Sequence, residues 1–400
     1  MLFSALAPIP PDPILGMAQL FAADPSSHKV DLGIGIYRDE NGAAPVLTSV
    51  KAAEQWLLEH QASKAYLSSA GNPEFNHLTA QLLLGESHPA LSDDRVRTVQ
   101  TPGGTAALRV AADFIRAHRP NSTVWLPDPT WANHPAIFGA AGLKLATYPY
   151  YEAAGARLLF DRMIDALSHA EAGDVVVVHG CCHNPTGADL SEEQWDVLAG
   201  TLRRSSAVPL VDLAYQGFGV GLEGDAYSVR KLARDLPEVL IASSYSKNFA
   251  LYRDRAGAIT LVSGRGVDAD LVRAHLLRTI RTNYSMPPDH GAAVVAHILT
   301  SPTCRPVWES ELLVMSERIR QMRGLLAQQL RGRTARSYDF IATQRGMFTS
   351  LGLKAEDVER LRVEHSIHIS SSGRINVAGL TRSNVSRVAE ALVAVHSPAG

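Results

Sequence analysis

Residues 174–214 read DVVVVHGCCHNPTGADLSEEQWDVLAGTLRRSSAVPLVDLA, and this stretch predicts a strand, a helix and a second strand. The apolar runs 174–180 and 208–214 flank residues 191–205, which open with a serine and two glutamates, as helices commonly do. Continuous apolar strands joined by a helix are typical of a parallel sheet covered on both faces. The stretch therefore predicts an α/β fold.

The same alternation continues on both sides of this unit. Further strands are predicted at 122–127, 144–150, 238–244 and 257–263, and a further helix at 104–118. From about residue 309 the pattern changes to a long amphipathic helix followed by an α+β tail. In sheets of this kind, ligands bind beyond the carboxyl ends of the strands.

Composition narrows the class of protein. The 400 residues are 46% hydrophobic, which is enough for two globular domains. Lys plus Arg (38) nearly balance Asp plus Glu (40), and no charge run indicates a nucleic-acid partner. Apolar runs are too short to span a membrane, and no signal peptide is recognised. We expect a soluble, cytoplasmic protein whose three cysteines are reduced.

The run His179-Gly-Cys-Cys-His183 has the residue types of a metal site but not the spacing. Four ligands converge on one ion only when turns or helices separate them, and here they are packed together. The sequence therefore predicts no metal site.

Polar residues follow several of the predicted strands and open the first helix. Asp212, Asn184 and Lys247 come at or after strand ends, and Gly103-Gly104-Thr105 opens the helix near 104. Each of these alone is a common turn or cap signal. Together they supply one edge of the sheet with a carboxylate, an amide, an amine and a phosphate-binding helix start.

One ligand, pyridoxal 5′-phosphate, uses all four groups. Its aldehyde bonds to a lysine, its pyridine nitrogen needs a carboxylate, and its phosphate suits the backbone N–H groups of a helix N-terminus. Lys247, Asp212 and Gly104-Thr105 fit these needs, and Arg255 is a cationic partner for the phosphate. A nucleotide-binding α/β protein without activity is the other class of protein considered, but it gives no reason for this set.

Five stretches resemble one known family. HGCCHNPTG, VDLAYQGF, SSYSKNFALYRDRAGA, RTNYSMPPDHGA and SSGRINVAGL are similar to the class I, fold type I aspartate and aromatic-amino-acid aminotransferases. The resemblance covers essentially the whole chain. It implies a large domain with a mostly parallel seven-stranded sheet (45–308), a smaller α+β domain (13–44 with 309–400) and an N-terminal arm (1–12).

The resemblance also assigns roles to the cofactor-binding residues. It implies that Lys247 bonds to the cofactor and moves the substrate proton, that Asp212 binds the pyridine nitrogen, and that Tyr215 and Asn184 bind the phenolic oxygen. Trp131 would stack on the ring, with His134 behind it. The implied phosphate-binding residues are Gly103, Gly104, Thr105, Ser244 and Arg255, together with Tyr66 from the neighbouring subunit.

For the substrate, the resemblance implies two arginines and a homodimer with shared active sites. Arg374 would bind the α-carboxylate, and Arg281 of the other subunit would bind the distal carboxylate of a dicarboxylic substrate. Gly35 matches a loop that closes over substrate, and Trp131 and Asn184 also border it. The implied activity is ping-pong transamination between aspartate or aromatic amino acids and 2-oxoglutarate. Another pyridoxal-phosphate reaction, by a decarboxylase or lyase, is the alternative.

Three positions depart from the family pattern, and two peptide bonds are predicted from it. Ala250 replaces a usual glycine, the stretch 68–70 is unusual, and Met286 stands where polar residues are common. The first two departures are expected to change only local packing, whereas Met286 could favour aromatic substrates. The bonds before Pro129 and Pro185 are expected to be cis.

Overall fold

The computed structural model describes residues 3, 6, 7 and 13–396, with side chains at 3, 6, 7 and 16–395. The predicted N-terminal arm, residues 1–12, lies almost entirely outside the described residues. The helices are α1 Pro13–Ala23, α2 Thr48–His60, α3 Pro73–Leu84, α4 Pro89–Ser92, α5 Gly103–His118, α6 Asn133–Ala140, α7 Phe160–Leu167, α8 Glu192–Ser205, α9 Leu222–Asp225, α10 Tyr227–Asp235, α11 Ala269–Asn283, α12 His290–Thr300, α13 Cys304–Leu330, α14 Phe340–Thr343, α15 Ala355–His365 and α16 Val385–His396.

The strands are β1 Val30–Asp31, β2 Val96–Pro102, β3 Thr123–Asp128, β4 Lys144–Pro149, β5 Tyr151–Glu152, β6 Arg157–Leu158, β7 Val175–His179, β8 Val208–Leu213, β9 Val239–Ser244, β10 Ala256–Val262, β11 Phe348–Ser350, β12 Ile367–His368 and β13 Arg374–Asn376. Seven of them form one sheet in the order β2-β10-β9-β8-β7-β3-β4. Only β10 runs against its neighbours in this sheet, so the predicted mostly parallel α/β fold is confirmed.

The sheet is buried on both faces, as its continuous apolar strands predict. Along β7, Val176 and Val178 belong to one hydrophobic core, whereas Val175 and Val177 belong to a second one. The two cores lie on opposite faces because successive side chains of a strand alternate. Helix α8, whose N-terminus carries a capping box between Ser191 and Gln194, packs on the first face.

The six strands and two helices predicted from the sequence are confirmed to within one or two residues. The seventh strand, β2, was missed, and it pairs along its whole length with β10. The long helix after the sheet begins at Cys304 rather than near residue 309.

The C-terminal part of the chain packs with a segment from before the sheet. Strand β1 pairs in parallel with β12, and the amide of Asn376 in β13 donates to the carbonyl oxygens of Ile34 and Ile36. The predicted division into two domains, with its boundaries, stays a prediction. No helix among the described residues combines the length and apolarity that crossing a membrane requires.

Candidate active site

The functional side chains come together at one edge of the large sheet because of strand direction. Strands β2, β7, β8 and β9 all end at this edge. Strand β10 is antiparallel to them, so it begins here, with Ala256 paired to Pro102. Arg255, which precedes β10, therefore lies beside the residues that follow the parallel strands.

A cavity at this edge collects most of the predicted site residues. Its lining includes Gly35, Gly104, Thr105, Trp131, Asn184, Asp212, Tyr215, Ser244, Lys247, Arg255 and Arg374. Gly103 lies directly behind the lining, against the guanidinium of Arg255. The structure does not bring the two remaining predicted residues, Tyr66 and Arg281, into this cavity.

Lys247 reaches the cavity from the turn that follows β9. Its Nζ lies 4.9 Å from the centroid of the Tyr215 ring. Burial lowers the pKa of Lys247 to about 8; Asp212 opposes this shift, whereas Arg255 and Arg374 add to it. The amine is therefore much closer to neutrality at physiological pH than an exposed lysine, which suits a nucleophile or a base.

Asp212 stays ionised in the same cavity because His134 supports it. Burial alone would raise the pKa of Asp212, but the hydrogen bond from His134, helped by the charge of the nearby Lys247, holds it below its usual value. His134 Nε2 is 3.0 Å from Asp212 Oδ2, and its Nδ1 is 2.7 Å from Thr130 Oγ1. With the threonine donating to Nδ1, Nε2–H donates to the carboxylate.

His179 lines the cavity, although the sequence analysis considered it only as a possible metal ligand. It ends β7, it is buried, and neither ring nitrogen has a hydrogen-bond partner among the residues that the structure describes. Burial, aided by His134, lowers the pKa of His179 to about 3, so the ring is neutral. The signal for it was its place at a strand end beside Asn184.

The start of α5 forms a cradle whose shape requires glycine. Gly103 has φ +79°, and a Cβ there would lie 2.5 Å from Arg255 Nη2. A Cβ on Gly104 would lie 3.0 Å from the Cβ of Ser244. Backbone N–H groups at a helix start, a serine hydroxyl and a guanidinium thus converge on one small space, which fits a phosphate.

Arg255 is held in place by its own chain. Its Nη1 donates to Ser246 Oγ and to the carbonyl oxygen of Tyr252, both at 3.2 Å. Ser246 and Tyr252 also line the cavity, and neither was predicted. Both residues lie in the same motif as Lys247, and this proximity is the sequence signal that could have found them.

Arg374 lines the cavity from the start of β13. Its Nη1 donates to Asn184 Oδ1 at 3.2 Å, and its Nη2 donates to the carbonyl oxygen of Gly33 at 2.7 Å. Since Asn184 Oδ1 accepts this bond, its amide hydrogens remain for another acceptor. Phe348 packs against the guanidinium and also lines the cavity, and no local pattern predicted it.

Tyr66 and Arg281 face outward in the single chain. The Tyr66 side chain is 94% exposed. Arg281 lies in the last turn of α11, is exposed, and donates to Ser285 Oγ. Neither residue lines the cavity of its own chain.

The charges around the cavity select an anionic ligand. The charged lining residues are Asp212, Lys247, Arg255 and Arg374, so cations outnumber the single carboxylate. Such a site is best neutralised by a phosphate at Arg255 and a carboxylate at Arg374. The residues present therefore fit pyridoxal phosphate together with an amino acid.

Comparison with known proteins identifies the family. The model of the aminotransferase class I and II family matches residues 27–392. The chain belongs to this aminotransferase family. It is 49% identical over 395 residues to an aspartate aminotransferase of Escherichia coli, covering 98% of this chain and all of that one. It is 45% identical to an aromatic-amino-acid aminotransferase of Pseudomonas aeruginosa, covering 98% of each.

Solved aminotransferase structures have the same fold. The aromatic-amino-acid aminotransferase of Burkholderia pseudomallei, solved covalently bound to pyridoxal phosphate, superposes with a TM-score of 0.96 at 43% identity, covering 99% of this chain and 100% of that one. The cytoplasmic aspartate aminotransferase of Saccharomyces cerevisiae superposes with a TM-score of 0.96 at 38% identity, covering 98% of each chain. The resemblance and the fold type predicted from the motifs are thus confirmed, and the decarboxylase or lyase alternative is not favoured.

Two details expected of an aminotransferase of this family also hold in the structure. The peptide bonds Asp128-Pro129 and Asn184-Pro185 are cis, as predicted.

Ala250, which replaces a usual glycine, has φ +54°, a conformation that glycine adopts more easily. The departure at Ala250 therefore affects the backbone as well as local packing.

Proposed function

We propose that this aminotransferase uses pyridoxal phosphate to transfer the amino group between aspartate or aromatic amino acids and 2-oxoglutarate, by a ping-pong mechanism. The observation that carries the proposal is the buried cavity that holds Lys247, Asp212, Arg255 and Arg374 together. When bound, the cofactor supplies the covalent attachment of the amino group and the delocalisation of the substrate electrons.

The cradle and the strand ends would hold that cofactor. Gly103, Gly104, Thr105, Ser244 and Arg255 would bind its phosphate, and Trp131 would pack on its ring. Asp212, kept ionised by His134, would hold a proton on the pyridine nitrogen. Tyr215 and the free amide hydrogens of Asn184 would donate to the phenolic oxygen.

Lys247 and Arg374 act on the substrate. Arg374 binds the α-carboxylate through a bidentate pair of hydrogen bonds, and this orients the Cα–H bond. Lys247 Nζ takes the Cα proton, and its lowered pKa makes it a base near neutral pH. Closure of the loop at Gly35, whose position borders Phe348, would exclude water.

We also propose a homodimer in which Tyr66 and Arg281 complete the partner's site. Their outward position in the single chain supports this, because neither lines its own cavity. Tyr66 would donate to the cofactor phosphate, and Arg281 would bind the distal carboxylate of aspartate, glutamate or 2-oxoglutarate. The cytoplasmic location stays a prediction.

The activity is tested on the purified protein with pyridoxal phosphate. Visible absorbance should report the bound cofactor, and it should change when aspartate, tyrosine, phenylalanine or tryptophan is added alone. Addition of 2-oxoglutarate should restore the first spectrum. Release of carbon dioxide or ammonia in place of these reversible half-reactions would refute transamination.

The shared sites are tested by mixing two inactive variants. In a hybrid of Lys247→Ala and Arg281→Leu subunits, one site combines an intact Lys247 with the intact Arg281 of the other subunit. Hybrids should therefore regain about half of the wild-type activity per dimer towards aspartate, because one of two sites is intact. If Arg281 served its own subunit, the hybrid would contain no intact site and would stay inactive.

A further inference from the structure

Phe348 touches three of the residues that the proposed function uses. Its side chain is 2% exposed and lines the cavity. The guanidinium carbon of Arg374 lies 4.2 Å from the ring centroid, and the Tyr215 ring meets it edge to face at 5.9 Å. A Cβ on Gly35 would lie 2.8 Å from Phe348 Cζ, so the ring also borders the loop at Gly35.

The backbone beneath this ring is fixed from the opposite side. Phe348 pairs with Asn376 across β11 and β13. Arg323 of α13, a fully buried side chain, donates to the carbonyl oxygens of Gly346 and Phe348. The ring that faces Arg374 thus projects from a backbone that β13 and Arg323 both hold by hydrogen bonds.

The Phe348 ring decides how Arg374 can bind a carboxylate. Asn184 Oδ1 accepts a hydrogen bond from Nη1, and the carbonyl oxygen of Gly33 accepts one from Nη2. Phe348 covers one face of the guanidinium. Arg374 Nε is buried and has no partner among the described residues. The arginine is thus held at its face and at part of its edge, with Nε and the remaining Nη hydrogens left for a ligand.

We propose that Phe348 is a positioning residue for the α-carboxylate, acting through the face of Arg374. The inference rests on the proposed function. Without the ring, the guanidinium can tilt, and every α-amino acid loses binding whatever its side chain. Once the carboxylate is bound, Asn184 and Gly33 still hold the two Nη groups, so the orientation of the Cα–H bond and the rate of proton transfer at Lys247 should change little.

The test measures ligand binding as well as turnover in the holoenzyme. The variants are Phe348→Leu and Phe348→Met, which remove the ring, with Phe340→Leu as the control for losing a phenylalanine elsewhere in the C-terminal part. The probe is 3-phenylpropionate, which has one carboxylate and no amino group. Its Kd is read from the visible absorbance of the bound cofactor, and half-reactions with aspartate and tyrosine give KM and kcat.

Loss of the ring should raise the Kd of 3-phenylpropionate and the KM of both amino acids about ten- to thirtyfold, the factor expected for a desolvated cation–π contact. The kcat values should stay within about threefold, and Phe340→Leu should match the wild type. A Kd changed less than twofold in both ring-free variants, or a loss confined to kcat, would overturn the role of Phe348. If the wild type itself gives no half-reaction, the proposed function fails instead. If Phe348→Leu does not yield folded holoenzyme, Phe348→Met, which keeps more of the side-chain volume, decides.

Discussion

Replacing Gly103 with alanine should weaken cofactor binding through Arg255. A Cβ at this position would lie 2.5 Å from Arg255 Nη2 and 2.8 Å from its Cζ. The guanidinium cannot move away freely, because its Nη1 already donates to Ser246 and to the Tyr252 carbonyl oxygen. Gly103→Ala should therefore displace the group proposed to bind the cofactor phosphate.

Gly103→Ala should have two effects, one on cofactor affinity and one on the stability of the fold. A hydrogen bond to a charged group contributes about 1.5–3 kcal/mol, so losing the Arg255 contact should raise the Kd of pyridoxal phosphate roughly ten- to one hundredfold. Alanine at φ +79° also strains the backbone, at a cost of about 1–2 kcal/mol in the free energy of unfolding. The first effect depends on the site, and the second depends only on the backbone.

A control substitution at Gly266 separates the loss of cofactor affinity from the effect of backbone strain. Gly266 has φ +81°, and no atom lies within 4 Å of a Cβ built there. Gly266→Ala should lose the same 1–2 kcal/mol of stability and keep wild-type cofactor affinity. Cofactor titration of the apoprotein gives the Kd, and urea unfolding of the apoprotein gives the stability. A wild-type Kd in Gly103→Ala, or an equal loss of affinity in both variants, would refute the reasoning.

Three further predictions concern Lys247 and Arg281. Lys247→Ala should lower turnover by several orders of magnitude while cofactor still binds through its phosphate; near-normal activity, with borohydride attaching the cofactor to another lysine, would contradict the assignment. Lys247→Met should stabilise the apoprotein at pH 7 by at most about 3 kcal/mol, because burial lowers the lysine pKa from 10.5 to about 8. The folded wild type binds fewer protons than the unfolded chain between these pH values, so its stability should rise from pH 8 to 10.5 and the difference should vanish; a constant difference in urea unfolding across this range would count against the shift. Arg281→Leu should lower kcat/KM for aspartate and glutamate by roughly two to four orders of magnitude and spare tyrosine and phenylalanine in half-reactions, whereas an equal loss for all donors would make Arg281 structural.

The parallel strands and their terminal residues were predictable because local sequence determines them. Val175–His179 and Val208–Leu213 are mostly apolar, and the polar residues of the cavity lie at or just after the ends of these strands. Strand β2 was missed because it carries polar residues, although Gln100 and Thr101 are fully buried. Gln100 is satisfied by the backbone of Asn72 and Pro288, and these partners are distant in sequence. The hydrophobic periodicity of a sequence cannot reveal that distant residues will provide hydrogen bonds to a buried polar side chain.

The sequence predicted which residues the cavity brings together where they stand in long motifs, and it missed those that packing alone brings in. Lys247, Asp212 and Arg374 each lie within a motif that indicates their role. Phe348 comes from a three-residue strand far along the chain, and only the fold places its ring on Arg374. The cavity therefore combines residues that motifs reveal with residues that only the fold reveals.

Asp212 and Lys247 line the same cavity, but the hydrogen bond from His134 acts on Asp212 alone. Burial disfavours the charged forms of both Asp212 and Lys247. His134, oriented by Thr130, donates to Asp212 and, together with the nearby charges, holds its pKa below the usual value, whereas Arg255 and Arg374 add to the effect of burial on Lys247. Asp212 therefore stays ionised while the amine is poised near pH 8, so the first group is a permanent anion and the second can carry a proton. The histidine behind the cavity thus allows a carboxylate and a proton-accepting lysine to share one site.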